Sequence, residues 1–238
     1  MIKAILFDLD GTLLPMNRSV FERSYMGSLA QMAAGRGYDP KDFLRALGKS
    51  IAAMAQNDGS LPNGDVFWNT FSEASGKSRE TEEPAFLKYY QTDYQGLEEV
   101  CGKNPEASAT VKELRQKGYT LAIATNPVFP VIGIESRLSW AECNKEDFSL
   151  LTTLENSRFT KPHGGYYRDV AEALGVLPEE CLMVGNDVSD DMPAEKVGMR
   201  VFLLTNCLEN PKGEDFSRYP QGGFAELLSY IEEHAKEG

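Results

Sequence analysis

The chain has 238 residues, 42 % hydrophobic and 25 % charged, a balance of ordinary folded domains that excludes wholesale disorder. Its 24 basic residues against 36 acidic ones give a net charge of −12, which excludes the broad basic face of a nucleic-acid scaffold. A phosphate substrate stays compatible, because a few lysines and a divalent cation reverse the field inside a cleft.

The first predicted element is the apolar run from Ile2 to Phe7, whose length and Ile/Phe content suit a strand of a parallel sheet covered on both faces. It ends in Asp8-Leu9-Asp10-Gly11-Thr12, where Gly11 lets the backbone turn sharply. From Asn17 to Tyr94 the spacing becomes helical, with helices predicted over Val20–Ala34, Lys41–Gln56, Gly64–Ser75 and Glu82–Tyr94. Turn signals at Gly35-Arg36-Gly37, Asp58-Gly59, Pro62 and Gly76 separate them. Asn104-Pro105 reads as an N-cap followed by proline in the first turn, and Gly118 as the stop of that helix. Further strands are predicted at Tyr119–Thr125, Phe148–Thr152, Cys181–Gly185 and Arg200–Leu204. Helices are expected over Gly165–Leu174, before Gly198, and over Phe224–His234. This alternation predicts an α/β fold with a doubly wound parallel sheet, which binds ligands beyond the carboxyl ends of its strands.

Cys101, Cys143, Cys181 and Cys207 lie far apart without a C-x-x-C, which points to free thiols rather than a zinc site or a disulfide framework. The apolar N-terminal run is too short for a signal peptide, and no stretch reaches membrane-spanning length. The expectation is a cytoplasmic monomer or dimer with no membrane or nucleic-acid partner.

Four polar clusters follow four of the predicted strands: Asp8 to Thr12, Thr125-Asn126, Lys161-Pro162, and Gly185 to Asp191. Phosphoryl transfer needs a nucleophile, a cation, donors for the phosphoryl oxygens and an acid for the leaving group. Asp8 is a carboxylate able to attack phosphorus, and Asp10 is placed to protonate the leaving oxygen and then deprotonate water. Thr125 and Asn126 offer a hydroxyl and an amide to the phosphate, and Lys161 a fixed positive charge. With Asp8 and Asp10, the carboxylates after Gly185 complete a hard oxygen-ligand site suited to Mg²⁺. Taken singly, Thr125 reads as a helix cap, Lys161 as a surface lysine and the acids after Gly185 as a helix N-terminus. The argument rests on their order, each cluster directly after an apolar strand.

That order resembles the haloacid dehalogenase (HAD) superfamily over the whole chain. Phe7-Asp8-Leu9-Asp10-Gly11-Thr12-Leu13 is similar to its first motif, Thr125-Asn126 to the second, Lys161-Pro162 to the third, and Val184-Gly185 through Asp191 to the fourth. The resemblance implies a Rossmann-like core of residues 1–16 and 97–238 and an inserted all-helical cap of the C1 type over 17–96. It also implies that Asp8 is the nucleophile, Asp10 the acid/base, and Thr125 and Lys161 the phosphate binders. The family places Gly-Asp at the start of the fourth motif, whereas here Asn186 follows Gly185. Either Asn186 ligates the metal through its amide oxygen or Asp187 does; the benefit of a second full charge beside phosphate favours Asp187. Asp191 is expected to hold Lys161 or a metal-bound water.

The expected function is Mg²⁺-dependent hydrolysis of a small phosphorylated metabolite, a monoester, through an aspartyl phosphate. The alternatives are a sugar phosphomutase of the same family or a catalytically weak phosphate-binding protein. Carbon–halogen cleavage is disfavoured by Asp10, which haloacid dehalogenases lack. A phospho-switch is disfavoured by the helical insertion and by the acid two residues after Asp8. His163 and His234 are expected to be structural, and Phe67, Trp68, Phe71, Tyr89 and Tyr90 to be packing residues. Arg18 and Arg23 are candidates to reach an anionic substrate.

Overall fold

Side chains alternate along the central strand, sending Ile5 and Phe7 into one apolar cluster and Ala4 and Leu6 into another. That division builds the molecule, which is described over residues 1–235 by a computed structural model. The strands are β1 (Ala4–Phe7), β2 (Thr120–Ile123), β3 (Leu150–Leu151), β4 (Cys181–Gly185), β5 (Arg200–Leu204) and β6 (Gln221–Gly222). They form one sheet in the order β3-β2-β1-β4-β5-β6, with every neighbouring pair parallel. This is the Rossmann order, and its direction reverses beside β1, at the carboxyl end where a ligand crevice opens.

One face of the sheet packs on α5 (Pro105–Gln116), α6 (Val131–Trp140) and α8 (Phe224–Ala235), through residues such as Val111, Leu138 and Leu227. The other face packs on α7 (Gly164–Ala173), through Tyr166, Tyr167 and Val170. The expected stop and start signals operate locally. Asn104 accepts from Glu106 N at 3.0 Å with Pro105 in the first turn, and Gly118 takes a φ of +87° after α5. The four cysteines are free, and among the described residues no helix is long and apolar enough to cross a membrane.

Four helices lie between β1 and α5: α1 (Arg18–Gly35), α2 (Pro40–Ala55), α3 (Asn63–Ser75) and α4 (Arg79–Gln91). The chain enters and leaves this block side by side. Met16 bridges Cys101, and Gly102 N donates to Pro15 O at 2.6 Å. A ring cluster fills the block, with the Phe71 ring centroid 5.6 to 6.0 Å from those of Phe43, Phe67, Trp68 and Phe86.

Several elements differ from their sequence expectation. The last helix of the block begins at Arg79 rather than Glu82, held by an Arg79–Glu83 pair one turn apart at 2.9 Å. It ends before Tyr94, which sits in a 3₁₀ segment over Asp93–Val100. The third strand keeps two residues of the predicted five. The helix expected before Gly198 is a 3₁₀ segment, Met192–Val197, with Pro193 in its first turn. Neither α6 nor β6 was foreseen.

Phe71 is fully buried amid four rings. Phe71→Ala is expected to lower unfolding stability by about 3–5 kcal/mol, read from a urea titration. A loss below about 1 kcal/mol would show that the ring cluster does not hold the block together.

Candidate active site

Asp8 follows β1 directly, and its N–H continues the ladder to Val184 O at 2.9 Å, so its carboxylate stands at the switch point of the sheet. It is 8 % exposed. Lys161 Nζ donates to Asp8 Oδ1 at 2.9 Å and to Asp191 Oδ1 at 2.6 Å, placing a buried ammonium between two carboxylates. Burial alone would lower the Lys161 pKa; the charges of Asp191 and Asp8 outweigh it and hold the ammonium well above the ordinary lysine range. Burial also pushes the Asp191 carboxyl up, against the pull of Lys161.

The other oxygen of Asp8 meets the fourth cluster. Thr12 Oγ1 lies 3.1 Å from Asp8 Oδ2 and 2.9 Å from Asn186 Oδ1, while Asn186 Nδ2 donates to Cys207 O at 2.7 Å. Gly11 is obligatory here on two counts. Its φ is +81°, and a Cβ would lie 2.3 Å from Asn186 Nδ2. Asp187 is engaged otherwise: Oδ1 accepts from Ser189 N at 2.7 Å and Asp190 N at 3.1 Å, and Oδ2 faces Arg18 Nη1 at 3.4 Å. Asp191 Oδ2 accepts from Asp187 N at 2.9 Å.

Asp10 is turned to an unforeseen partner. Its Oδ2 pairs with Nη1 of Arg137 on α6, a side chain that is fully buried and sits 4.0 Å from the Phe129 ring centroid. The other Asp10 oxygen, Oδ1, is buried without a hydrogen-bond partner among the described residues. Burial raises the Asp10 pKa and Arg137 opposes that shift. Burial works against the charge on Arg137 too, and Asp10 offsets it, so the guanidinium stays cationic.

Thr125 follows β2 and is buried; its carbonyl accepts from Thr152 Oγ1 and Tyr166 OH, both at 2.8 Å. The Asn126 side-chain oxygen is buried without a partner among the described residues. All eight site residues named from sequence line one cavity of about 820 Å³: Asp8, Asp10, Thr125, Asn126, Lys161, Asn186, Asp187 and Asp191.

Among the remaining candidates, His163 caps α7, accepting from Gly165 N at 3.0 Å while stacked on Phe159. His234 lies against Tyr230 in α8. Arg18 and Arg23 both line the cavity. Of the five ring residues expected only to pack, Phe67, Trp68 and Tyr90 also form cavity wall. Thr12 stood in the quoted first motif without an assigned task. Arg137 carried no sequence signal, since its helix was not foreseen and its partner is 127 residues away.

The haloacid dehalogenase-like hydrolase family matches residues 2–198. The pyrophosphatase PpaX of Bacillus cereus is 26 % identical over 208 residues, 87 % of this chain and 85 % of its own length. A HAD phosphatase from Thermococcus onnurineus superposes with a TM-score of 0.59 at 23 % identity, covering 97 % of this chain and 98 % of its own. A 2-haloacid dehalogenase from Pseudomonas syringae pv. Tomato DC3000 gives 0.63 at 20 % identity, over 98 % and 100 %. Phosphatases and dehalogenases thus share this fold, and the choice between them falls to the site residues.

Gly185 tests the packing behind the triad, since a Cβ there would lie 2.1 Å from Asp191 Cγ. Gly185→Ala is expected to destabilise the protein by about 1–3 kcal/mol through overpacking. The urea midpoint measures this, and an unchanged midpoint would mean that Asp191 moves freely.

Proposed function

The chain belongs to the haloacid dehalogenase-like hydrolases, and from that premise we propose that it is a Mg²⁺-dependent phosphatase acting on small phosphate monoesters through Asp8. The observation that carries this reading is the buried Lys161 ammonium 2.9 Å from Asp8 Oδ1, a fixed cation beside the carboxylate that ends β1 at the switch point. Asp10 supports hydrolysis of phosphate rather than of a carbon–halogen bond, because it adds a second carboxyl group in the same crevice. The sequence division into a core of 1–16 and 97–238 and a cap of 17–96 is supported by the paired crossings at Met16 and Cys101.

In this mechanism Asp8 attacks phosphorus, forming a carboxylate O–P bond as the bond to the leaving oxygen breaks. Asp10 gives its proton to that oxygen from Oδ1, the atom left without a partner, and burial favours its starting in the protonated form. Asp10 then takes a proton from the water that cleaves the acyl phosphate, restoring Asp8. Lys161, Asn126 and Thr125 hold the phosphoryl oxygens, and Asp191 fixes the Lys161 ammonium.

The residues present fit a hard cation. Asp8 Oδ2 and Asn186 Oδ1 share the Thr12 hydroxyl, giving one carboxylate and one amide oxygen on the same side of the crevice. Mg²⁺ is commonly held by one or two carboxylates, with waters and substrate phosphate completing its shell. When bound it supplies neutralisation of the phosphoryl charge. Asn186 offers its oxygen without a charge, so Asp8 is the charged member of this pair. Asn186 is our preferred ligand over Asp187, reversing the preference drawn from charge alone, because its Oδ1 shares the Thr12 hydroxyl with Asp8, whereas the Asp187 oxygens face Ser189 N, Asp190 N and Arg18.

Phosphate release from a panel of esters, with and without Mg²⁺, tests the reading. Turnover is expected to require Mg²⁺ and to fall at least about a thousandfold in Asp8→Asn; undiminished turnover in that variant would remove Asp8 as nucleophile. Asn186→Asp is expected to tighten Mg²⁺ binding about tenfold by calorimetry without substrate, since ligand charge sets affinity. Loss of Mg²⁺ binding in Asp187→Ala but not in Asn186→Ala would return the ligand role to Asp187.

A further inference from the structure

The cavity above Asp8 is built in two chemically distinct halves. Its floor holds the four polar clusters at the strand ends. Its upper walls come from α1 to α4 and are largely apolar, formed by Met26, Ile51, Phe67, Trp68, Leu87 and Tyr90. At about 820 Å³ it lies toward the upper end of the roughly 300–1,000 Å³ of sites for drug-sized ligands. A phosphoryl group with a two-atom body leaves most of that space empty.

Charge in the walls points the same way. On α1 to α4 the charged wall residues balance, Glu22, Asp65 and Glu83 against Arg18, Arg23 and Arg79, while most of the other carboxylates gather on the floor. Lys161 is committed to the floor. Arg18 is paired with Glu22 at 3.0 Å and Glu209 at 3.2 Å, and Arg79 with Glu83 at 2.9 Å and Asp65 at 3.1 Å. Arg23 is the one cation of this wall without a carboxylate partner among the described residues, and it is exposed. A substrate with a second anionic group therefore meets apolar surface, arginines already matched to carboxylates, and only the exposed Arg23 as an open cation. Desolvating an anion there is costly, whereas an uncharged apolar body gains by leaving water.

Resting on the phosphatase reading above, we infer that the preferred substrate is the phosphate monoester of an uncharged, mainly apolar alcohol, aromatic or medium-chain, rather than a diphosphate or a phosphorylated carboxylic acid. The phosphoryl group sits on Asp8 and Lys161, and the alcohol body lies against Trp68, Phe67 and Ile51.

The test compares kcat/KM for ethyl, butyl, hexyl and 2-phenylethyl phosphate with that for pyrophosphate and phosphoglycolate, alongside calorimetric binding of ethyl- and hexylphosphonate. Each buried methylene is expected to raise kcat/KM about fourfold until the cavity fills. Hexylphosphonate is expected to bind more tightly than ethylphosphonate, with a negative heat-capacity change. Leu87 is 45 % exposed, so Leu87→Arg leaves the fold intact, and it is expected to shrink the hexyl-to-ethyl ratio about tenfold. Turnover that is flat with chain length, or faster with pyrophosphate or phosphoglycolate, overturns the substrate class and leaves the phosphatase reading standing. Chain-length-dependent phosphonate binding with no Asp8-dependent turnover of any ester overturns the phosphatase reading, and this proposal as a statement about substrates.

Discussion

A lysine ammonium sealed between Asp8 and Asp191 is the constraint to which the rest of this structure answers. Burying three charged groups together is expensive unless each meets its partners at close range. Those partners come from three places far apart in sequence: the end of β1, the loop before α7, and the turn after β4. A sheet that puts β1 beside β4 brings the carboxylates to one point. Gly11 and Gly185 then carry no side chain because Asn186 and Asp191 already occupy the space. Small residues and charged residues at this site are consequences of one another.

A second pair, half-buried Asp10 with fully buried Arg137, works differently. It ties the crevice to α6 and, through Phe129, to the ring cluster around Tyr25. One Asp10 oxygen is fixed and the other has no hydrogen-bond partner among the described residues, an arrangement that gives the carboxyl group a defined direction. The polar floor is thus heavily cross-linked, and the apolar walls above it supply shape rather than charge.

The core strands were legible because a buried parallel strand writes itself as a continuous apolar run, and Ile2 to Phe7 and Cys181 to Val184 do so plainly. The third strand was legible too, within Phe148–Thr152, though only Leu150 and Leu151 pair; β6 was not, since two residues carry no periodicity. The helix α6 was hidden by Pro127, Pro130 and Gly133, which read as loop, although Pro130 in fact stands at its N-terminus. Most of the floor was readable because its residues come in short runs at strand ends; Lys161 departs from this, lying ten residues past β3 in the loop before α7. Arg137 was not, because nothing local distinguishes an arginine that will be buried against a distant aspartate. The rings of α3 and α4 were read as packing alone because helical spacing cannot tell a core face from the wall of a cavity.

Chain enters and leaves the helical block through one narrow doorway, Pro15-Met16 beside Cys101-Gly102. The block is fastened to the core a second time, Asn63 N donating to Ser157 O at 2.8 Å and Gly64 N to Leu154 O at 2.7 Å, so main-chain bonds pin it at two separate places.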